Sequence, residues 1–209
     1  MEKNNIEKRF IETEIRADKE SRIIEGYAIK FNTESRNLGG FTEIIKPDAI
    51  SEELIKRSDI KLVFNHNENL GILGRSKKGK GTLNILKDEE GVYFRAELPD
   101  TQLGNDILTS VNRGDLDSCS FKFAIKEDGR TWEKDGSNWR CYVNKIEDLM
   151  DFSVVVNPAY EDAKLVSKRS LDEFEKIKLE EETNKIEEEK KKKEKFEKYY
   201  NNLINKYLK

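Results

Sequence analysis

Histidine occurs once, cysteine twice and proline three times in the 209 residues of this chain. A single imidazole with two isolated thiols, Cys119 and Cys141, provides no zinc-ligand spacing, and two cysteines are too few for a disulfide framework. No metal or organic cofactor is indicated. No segment approaches the ~18–20 continuous apolar residues that cross a bilayer, and the polar N-terminus has no signal-peptide apolar region. A soluble protein made in the cytosol is therefore expected. Charged residues make up 39% of the chain, yet 39 basic side chains against 42 acidic ones leave a net charge of only −3. Such a balance generates no global field to attract a polyanion, so neither nucleic acid nor a membrane is expected as a partner.

The scarcity of histidine narrows any imidazole chemistry to one residue, His66, which ends the apolar run Ile60–Phe64 after Asn65. Imidazole has its unperturbed pKa near neutrality and can take a proton from a hydroxyl and return it to a leaving group. The two cysteines are read as reduced, small apolar fillers of sheet faces, because no electropositive setting near either lowers a thiol pKa.

From about residue 10 to about 165 the pattern is short strands, two helices and turn signals. Beyond Ser167 composition shifts abruptly to Glu and Lys. Strands are predicted over 22–31 and 41–45, then a helix opened by Pro47 with Ile50, Leu54 and Ile55 turned inward. After the His66 strand, segments 82–86 and 92–98 flank Gly91 and read as a hairpin in which glycine supplies a positive φ. A second helix has Asp100 or Thr101 as N-cap, Leu103, Ile107, Leu108 and Val111 at helical spacing, and Gly114 as its left-handed end. Residues 118–126 alternate, with Phe121, Phe123 and Ile125 on one face and Ser120, Lys122 and Ala124 on the other. Turn signals at Asp128–Gly129 and Asp135–Gly136 precede strands over 139–146 and 152–156, the last stopped by Pro158.

Many strands with few helices predict an α+β fold, mainly an antiparallel β-barrel flanked by helices, over residues 1–167. Residues 168–209 form a charged helical tail. Its apolar patches are Leu171, Phe174 and Ile177, and then Phe196, Tyr199, Tyr200, Leu203, Ile204 and Tyr207. No heptad survives the charged stretch between them, so the tail reads as a solvated and partly frayed helix, with a partner-docking or coiled-coil segment as the alternative.

A serine hydroxyl is a weak nucleophile that needs a base in hydrogen-bond reach and a third group to hold that base in the right tautomer. His66 ends one strand, Ser120 lies on another and Asp151 enters a third, so a barrel can bring them together from remote segments.

The ordered set Gly26-Tyr27-Ala28 with Phe31, Asn65-His66-Asn67 before Leu73-Gly74-Arg75, and Gly91 with Ala96 and Leu98-Pro99-Asp100-Thr101 continues with Arg113-Gly114-Asp115 before Ser120-Phe121. It ends in Asp151-Phe152-Ser153-Val154-Val155 through Pro158-Ala159-Tyr160. This series resembles the prohead maturation proteases of tailed phages over roughly residues 20–165. The resemblance implies a serine endopeptidase with a barrel similar to the herpesvirus capsid-assembly protease, acting inside the immature phage head in the bacterial host cytoplasm, from a phage or a prophage. It implies as partners the major capsid protein with its scaffold domain or a separate scaffold protein, the chain itself as substrate, and a homo-oligomer. It gives His66 the general-base role and Ser120 the nucleophile role, with Ser118, on the same side of the strand, as the alternative. The herpesvirus relatives use a second histidine, which this chain lacks; Asp151 matches the family's acidic position, with Glu147 and Asp148 as neighbouring alternatives. Lys122 departs from the family pattern, where a small residue often separates the two aromatics. Arg75 and Arg113 are candidates for supporting an oxyanion hole, though salt bridging accounts for both.

A different reading keeps the barrel but makes the chain a noncatalytic head-assembly or scaffold protein, in which His66 and Ser120 only satisfy structural hydrogen bonds. A barrel that binds single-stranded nucleic acid is disfavoured by the absent basic surplus.

Overall fold

Residues 5–11, 15–126, 128–156 and 168–207 are described by the structure, a computed structural model. The chain divides into two units, Met1–Ser167 and Lys168–Lys209.

In the first unit the strands are β1 (Asn5–Ile11), β2 (Arg16–Asp18), β3 (Ile23–Lys30), β4 (Phe41–Ile45), β5 (Asp59–Phe64), β6 (Gly74–Lys77) and β7 (Lys80–Gly81). They continue as β8 (Leu83–Lys87), β9 (Gly91–Glu97), β10 (Ser118–Ile125), β11 (Arg130–Asp135), β12 (Asn138–Val143) and β13 (Ile146–Val155). Helices α1 (Glu52–Arg57) and α2 (Gln102–Arg113) lie between them. Pro47 opens only a 3₁₀ turn, Pro47–Ala49; α1 begins later, where Ser51 Oγ accepts from the Leu54 N–H at 3.1 Å. Ile50 is fully buried ahead of α1 rather than on it. α2 follows the expected pattern: Thr101 Oγ1 accepts from the Gly104 N–H, Ile107, Leu108 and Val111 are buried, and Gly114 ends the helix at φ +77°.

The strands pair into three sheets, ordered β1-β10-β13-β5-β6-β7, β2-β3-β9-β8 and β11-β12-β4. The expected closed barrel is not formed. Each sheet ends in edge strands, because β1 takes the outer edge of β10, while β12 pairs with β11 on one side and β4 on the other in a separate small sheet. Nor is pairing wholly antiparallel, since β5–β13 and β4–β12 run parallel. The architecture is mixed α+β, mostly strands with a few helices. Phe94 of β9 and Phe152 of β13, both fully buried, meet with ring centroids 6.2 Å apart and join the four- and six-stranded sheets. Burying each such ring stabilises the fold by on the order of 2–3 kcal/mol.

Other boundaries moved for local reasons. Gly91 does not adopt a positive φ; a Cβ there would lie 1.9 Å from the Ile29 carbonyl oxygen, so close approach of β3 demands glycine. Residues 130–135, expected only as a connection, form β11 and turn through Gly136 at φ +61° into β12. The strand expected over 139–146 stops at Val143, and β13 is a ten-residue strand that places Asp151 in its middle rather than at its start.

The second unit is a helix, α3 (Lys168–Tyr207), with Leu179, Ile186 and Phe196 exposed and Lys185 paired to Glu181 one turn away. The side chains of Leu171 and of residues 199–207, and all of Pro158–Tyr160, lie outside the described residues.

Candidate active site

The parallel pairing of β5 with β13 sets Val63 beside Ser153 and Phe64 beside Val154, so Asn65 and His66 emerge at the upper end of β13. There the chain reverses. The Asn67 N–H donates to the Phe64 carbonyl at 3.0 Å, closing a β-turn whose central residues, Asn65 and His66, have φ of +49° and +55°. Positive φ at both central positions is the requirement of a type I′ turn, and Asn and His are among the few side chains that tolerate it. The reversal carries the imidazole back over the sheet instead of onward into solvent.

Three bonds hold this strained turn. The Asn65 N–H donates to the Val154 carbonyl at 3.0 Å, the Val156 N–H to Asn65 Oδ1 at 3.2 Å, and the His66 N–H to Ser153 Oγ at 2.8 Å. Ser153 is wholly buried and lies opposite Ser120 in the β10–β13 register.

Folded back in this way, His66 Nδ1 lies 2.5 Å from Asp151 Oδ1 and Nε2 lies 2.6 Å from Ser120 Oγ. The His66 and Asp151 side chains are 8% and 2% exposed, and Ser120 is 3% exposed, so water does not compete strongly for these bonds. Asp151 Oδ1 as acceptor fixes the proton on Nδ1 and leaves the Nε2 lone pair toward the hydroxyl. The Arg9 carbonyl oxygen is a second acceptor for the Ser120 hydroxyl, at 2.8 Å. One proton serves two acceptors, the Arg9 carbonyl and Nε2.

The alternatives from the sequence are engaged elsewhere. The Ser118 hydroxyl donates to Asp117 Oδ1 at 2.6 Å. Glu147 faces Lys126 at 3.8 Å, and Asp148 accepts from Ser58 Oγ at 3.0 Å. Arg75 donates twice to Asp59, at 2.6 and 2.5 Å, and Arg113 donates to Asp115 at 2.7 Å, so both make local salt bridges. Burial pushes the Cys119 thiol up to about 12, which leaves it protonated and inert; Cys141 is likewise buried.

Against known proteins, the model of the family described as caudovirus prohead serine protease matches residues 9–177. The chain belongs to that family. The prohead protease of Enterobacteria phage HK97 is 30% identical over 173 residues, 81% of this chain and 71% of that protein. Among solved structures, the bacteriophage T4 capsid assembly protease aligns over 74% of this chain and all of that one, with a TM-score of 0.43 and 14% identity.

Within this prohead protease family member, Asn65, Ser153 and the Arg9 carbonyl surround the three residues; Asn65 and Ser153 belong to the motifs that carry the resemblance, but the sequence assigns a role to none of the three. The Asn-His pair carried a usable signal, because both residues are at home in the left-handed region. Nothing local gives Ser153 or Arg9 its role, since that role depends on pairing between remote strands. Ser153→Ala strips the His66 N–H of its acceptor, an effect of about 1–3 kcal/mol. The expected result is a kcat reduced about 10- to 100-fold with KM little changed, and partial rescue by Ser153→Thr. Steady-state kinetics beside thermal melts check this; a lowered Tm with unaltered kcat would give Ser153 a purely structural role.

Proposed function

We propose that this chain is a serine endopeptidase of phage head maturation, with Ser120 as nucleophile, His66 as general base and Asp151 as the group that orients and steadies the imidazole. The observation that carries this reading is the continuous hydroxyl–imidazole–carboxylate chain, 2.6 Å and 2.5 Å long at its two links. Ser120 Oγ attacks the carbonyl carbon of the scissile peptide as its proton passes to Nε2. The imidazolium, stabilised by Asp151 through the Nδ1–H, then gives that proton to the leaving amine. Water, deprotonated by the same nitrogen, releases the acyl group from Ser120.

Family membership supports a polypeptide substrate in the assembling head: the scaffold-like extension of the major capsid protein or a separate scaffold protein, and in addition the protease itself. The unit Met1–Ser167 carries the chemistry. The site of action is the interior of the immature head in the host cytoplasm.

A diisopropyl fluorophosphate reaction tests the assignment independently of substrate. Ser120 Oγ forms a bond to phosphorus as fluoride leaves and His66 accepts the proton. The expected product is one phosphoryl adduct mapped to Ser120 by peptide mass spectrometry, absent in His66→Ala, with parallel loss of capsid-protein cleavage. Continued cleavage by an enzyme quantitatively modified elsewhere would remove Ser120 from the mechanism.

A further inference from the structure

Strand register lines up one unusual row of side chains beside Ser120. Lys8 of β1 pairs with Lys122 of β10, Lys122 with Asp151 of β13, Asp151 with Lys61 of β5, and Lys61 with Arg75 of β6. Four cations and one carboxylate thus cross five strands in a line. Residues two apart on a strand share a face, so this row lies on the face of Ser120 and Ser153, displaced by about 7 Å along the strands.

Three of these charges have local partners. Asp151 holds His66, Lys61 donates to Glu68 at 2.5 Å, and Arg75 is paired with Asp59. Lys8 and Lys122 differ: among the described residues, no carboxylate forms an ion pair with either. Like charges directly opposite on neighbouring strands are destabilising. Both lysines are half-buried, whereas Ser120 beside them is buried, so the pair stands at the more open side of the site. The field of the row also reaches the turn that follows His66. Glu68 is held below the ordinary carboxylate range by its hydrogen bond from Lys61, against desolvation, with the charges of Lys61, Lys122 and Arg75 adding to the effect.

Among the described residues this opposed lysine pair has no ion-paired carboxylate, although Lys122 lies opposite Asp151 and its charge reaches Glu68; Lys122 stands two residues from Ser120, so the pair is placed to meet an anion supplied from outside. We infer that Lys8 and Lys122 form a carboxylate-binding subsite that selects polypeptide substrates carrying Asp or Glu within about two residues of the bond to be cut, the reach of ~7 Å along an extended chain. The inference rests on the serine-peptidase reading and gives Lys122 a part in substrate choice.

Two measurements test it. In the first, the full-length enzyme acts on a peptide library made by chymotryptic digestion of a bacterial lysate, and new termini are mapped by mass spectrometry. Wild type is expected to enrich Asp and Glu next to the cut bond. Lys122→Glu should reduce cleavage at those sites at least tenfold and turn the preference toward Lys and Arg. Cleavage with no acidic enrichment, or with the same enrichment in Lys122→Glu, overturns the subsite while leaving the peptidase standing; no cleavage at all counts against the peptidase reading, and the second measurement then decides the subsite. There, full-length Ser120→Ala carrying ¹³C-labelled lysine is titrated with an acetylated alanine pentapeptide containing a central Glu or a central Gln. The Lys8 and Lys122 side-chain resonances, assigned through Lys8→Gln and Lys122→Gln, are expected to move with the Glu peptide alone. Resonances that stay fixed, or that move equally with Gln, overturn the proposal.

Discussion

Under the proposed mechanism, Ser120→Ala and His66→Ala are each expected to lower kcat on the capsid protein by about 10⁶, and the double variant to lose no more than either single one. The reason is geometric. His66 Nε2 lies 2.6 Å from the Ser120 oxygen; with that nitrogen as the proposed base, removing either partner disables the same step. What survives is the contribution of binding and transition-state electrostatics alone, which the second substitution does not touch. Asp151→Asn keeps the shape but puts an amide where an acceptor is needed at 2.5 Å from Nδ1. An Asn that donates its N–H to Nδ1 favours the tautomer with the proton on Nε2, the wrong one for a base, and the expected loss is about 10⁴. Ser118→Ala should leave turnover nearly unchanged, because that hydroxyl is engaged with Asp117. Intact-mass time courses on the capsid protein measure all five variants, and circular dichroism verifies that each is folded. Retention of activity in Ser120→Ala with loss in Ser118→Ala would move the nucleophile by two residues. Equal activity in wild type and Asp151→Asn would hand the orienting role to another group.

How much of this arrangement could be read from the chain depends on whether the signal was local. Helix α2 announces itself within its own residues: a Thr101 cap, apolar side chains four and then three apart, and a glycine free to take φ +77°. The strand that ends in Asn65-His66 was equally visible as an apolar run. Roles for His66, Ser120 and Asp151 came from resemblance; nothing local to any of the three declares that their strands are neighbours. Closure into a barrel rested on strand number and on the resemblance, and it fails because pairing partners are chosen by contacts far apart in sequence. The short β6 and β7 have too few apolar residues to show a period of two. β1 was missed for the opposite reason. Its alternation is clear but inverted: Ile6 is 45% exposed, while Glu7 and Arg9 are buried at 1% and 4%. A reading that takes apolar residues as the inward face assigns such a segment to the surface.

That inverted strand leads to the largest expected loss of stability. Arg9 donates through Nε and Nη2 to both oxygens of Glu43, at 2.5 and 2.8 Å, and through Nη1 to Glu7 at 3.0 Å; Arg130 Nη2 donates to the other Glu7 oxygen at 2.9 Å. Two cations and two anions, none with a side chain more than 5% exposed, tie β1 of the six-stranded sheet to β4 and β11 of the three-stranded one. Burial by itself lowers the affinity of Arg9 for its proton, but Glu43 and then Glu7 more than reverse this, so the guanidinium stays charged and depends on both partners. Glu43→Ala leaves that charge with only part of its compensation, and the expected cost is about 3–5 kcal/mol. The double variant Arg9→Met/Glu43→Leu removes charge and counter-charge together and is expected to recover most of that loss, because a buried ion pair gains little over well-packed apolar side chains. Glu52→Gln, which breaks the exposed pair with Lys56, should fall within about 0.5 kcal/mol of wild type. Urea unfolding of the four proteins separates these cases; a Glu43→Ala midpoint close to that of Glu52→Gln would show that the buried cluster does not hold the sheets together. The same cluster bears on the site. The Arg9 carbonyl accepts from Ser120, so the guanidinium clamp also sets the position of the oxygen that competes with His66 for the Ser120 proton. In Arg9→Met/Glu43→Leu that carbonyl stays within the β1–β10 ladder, so activity should return along with stability.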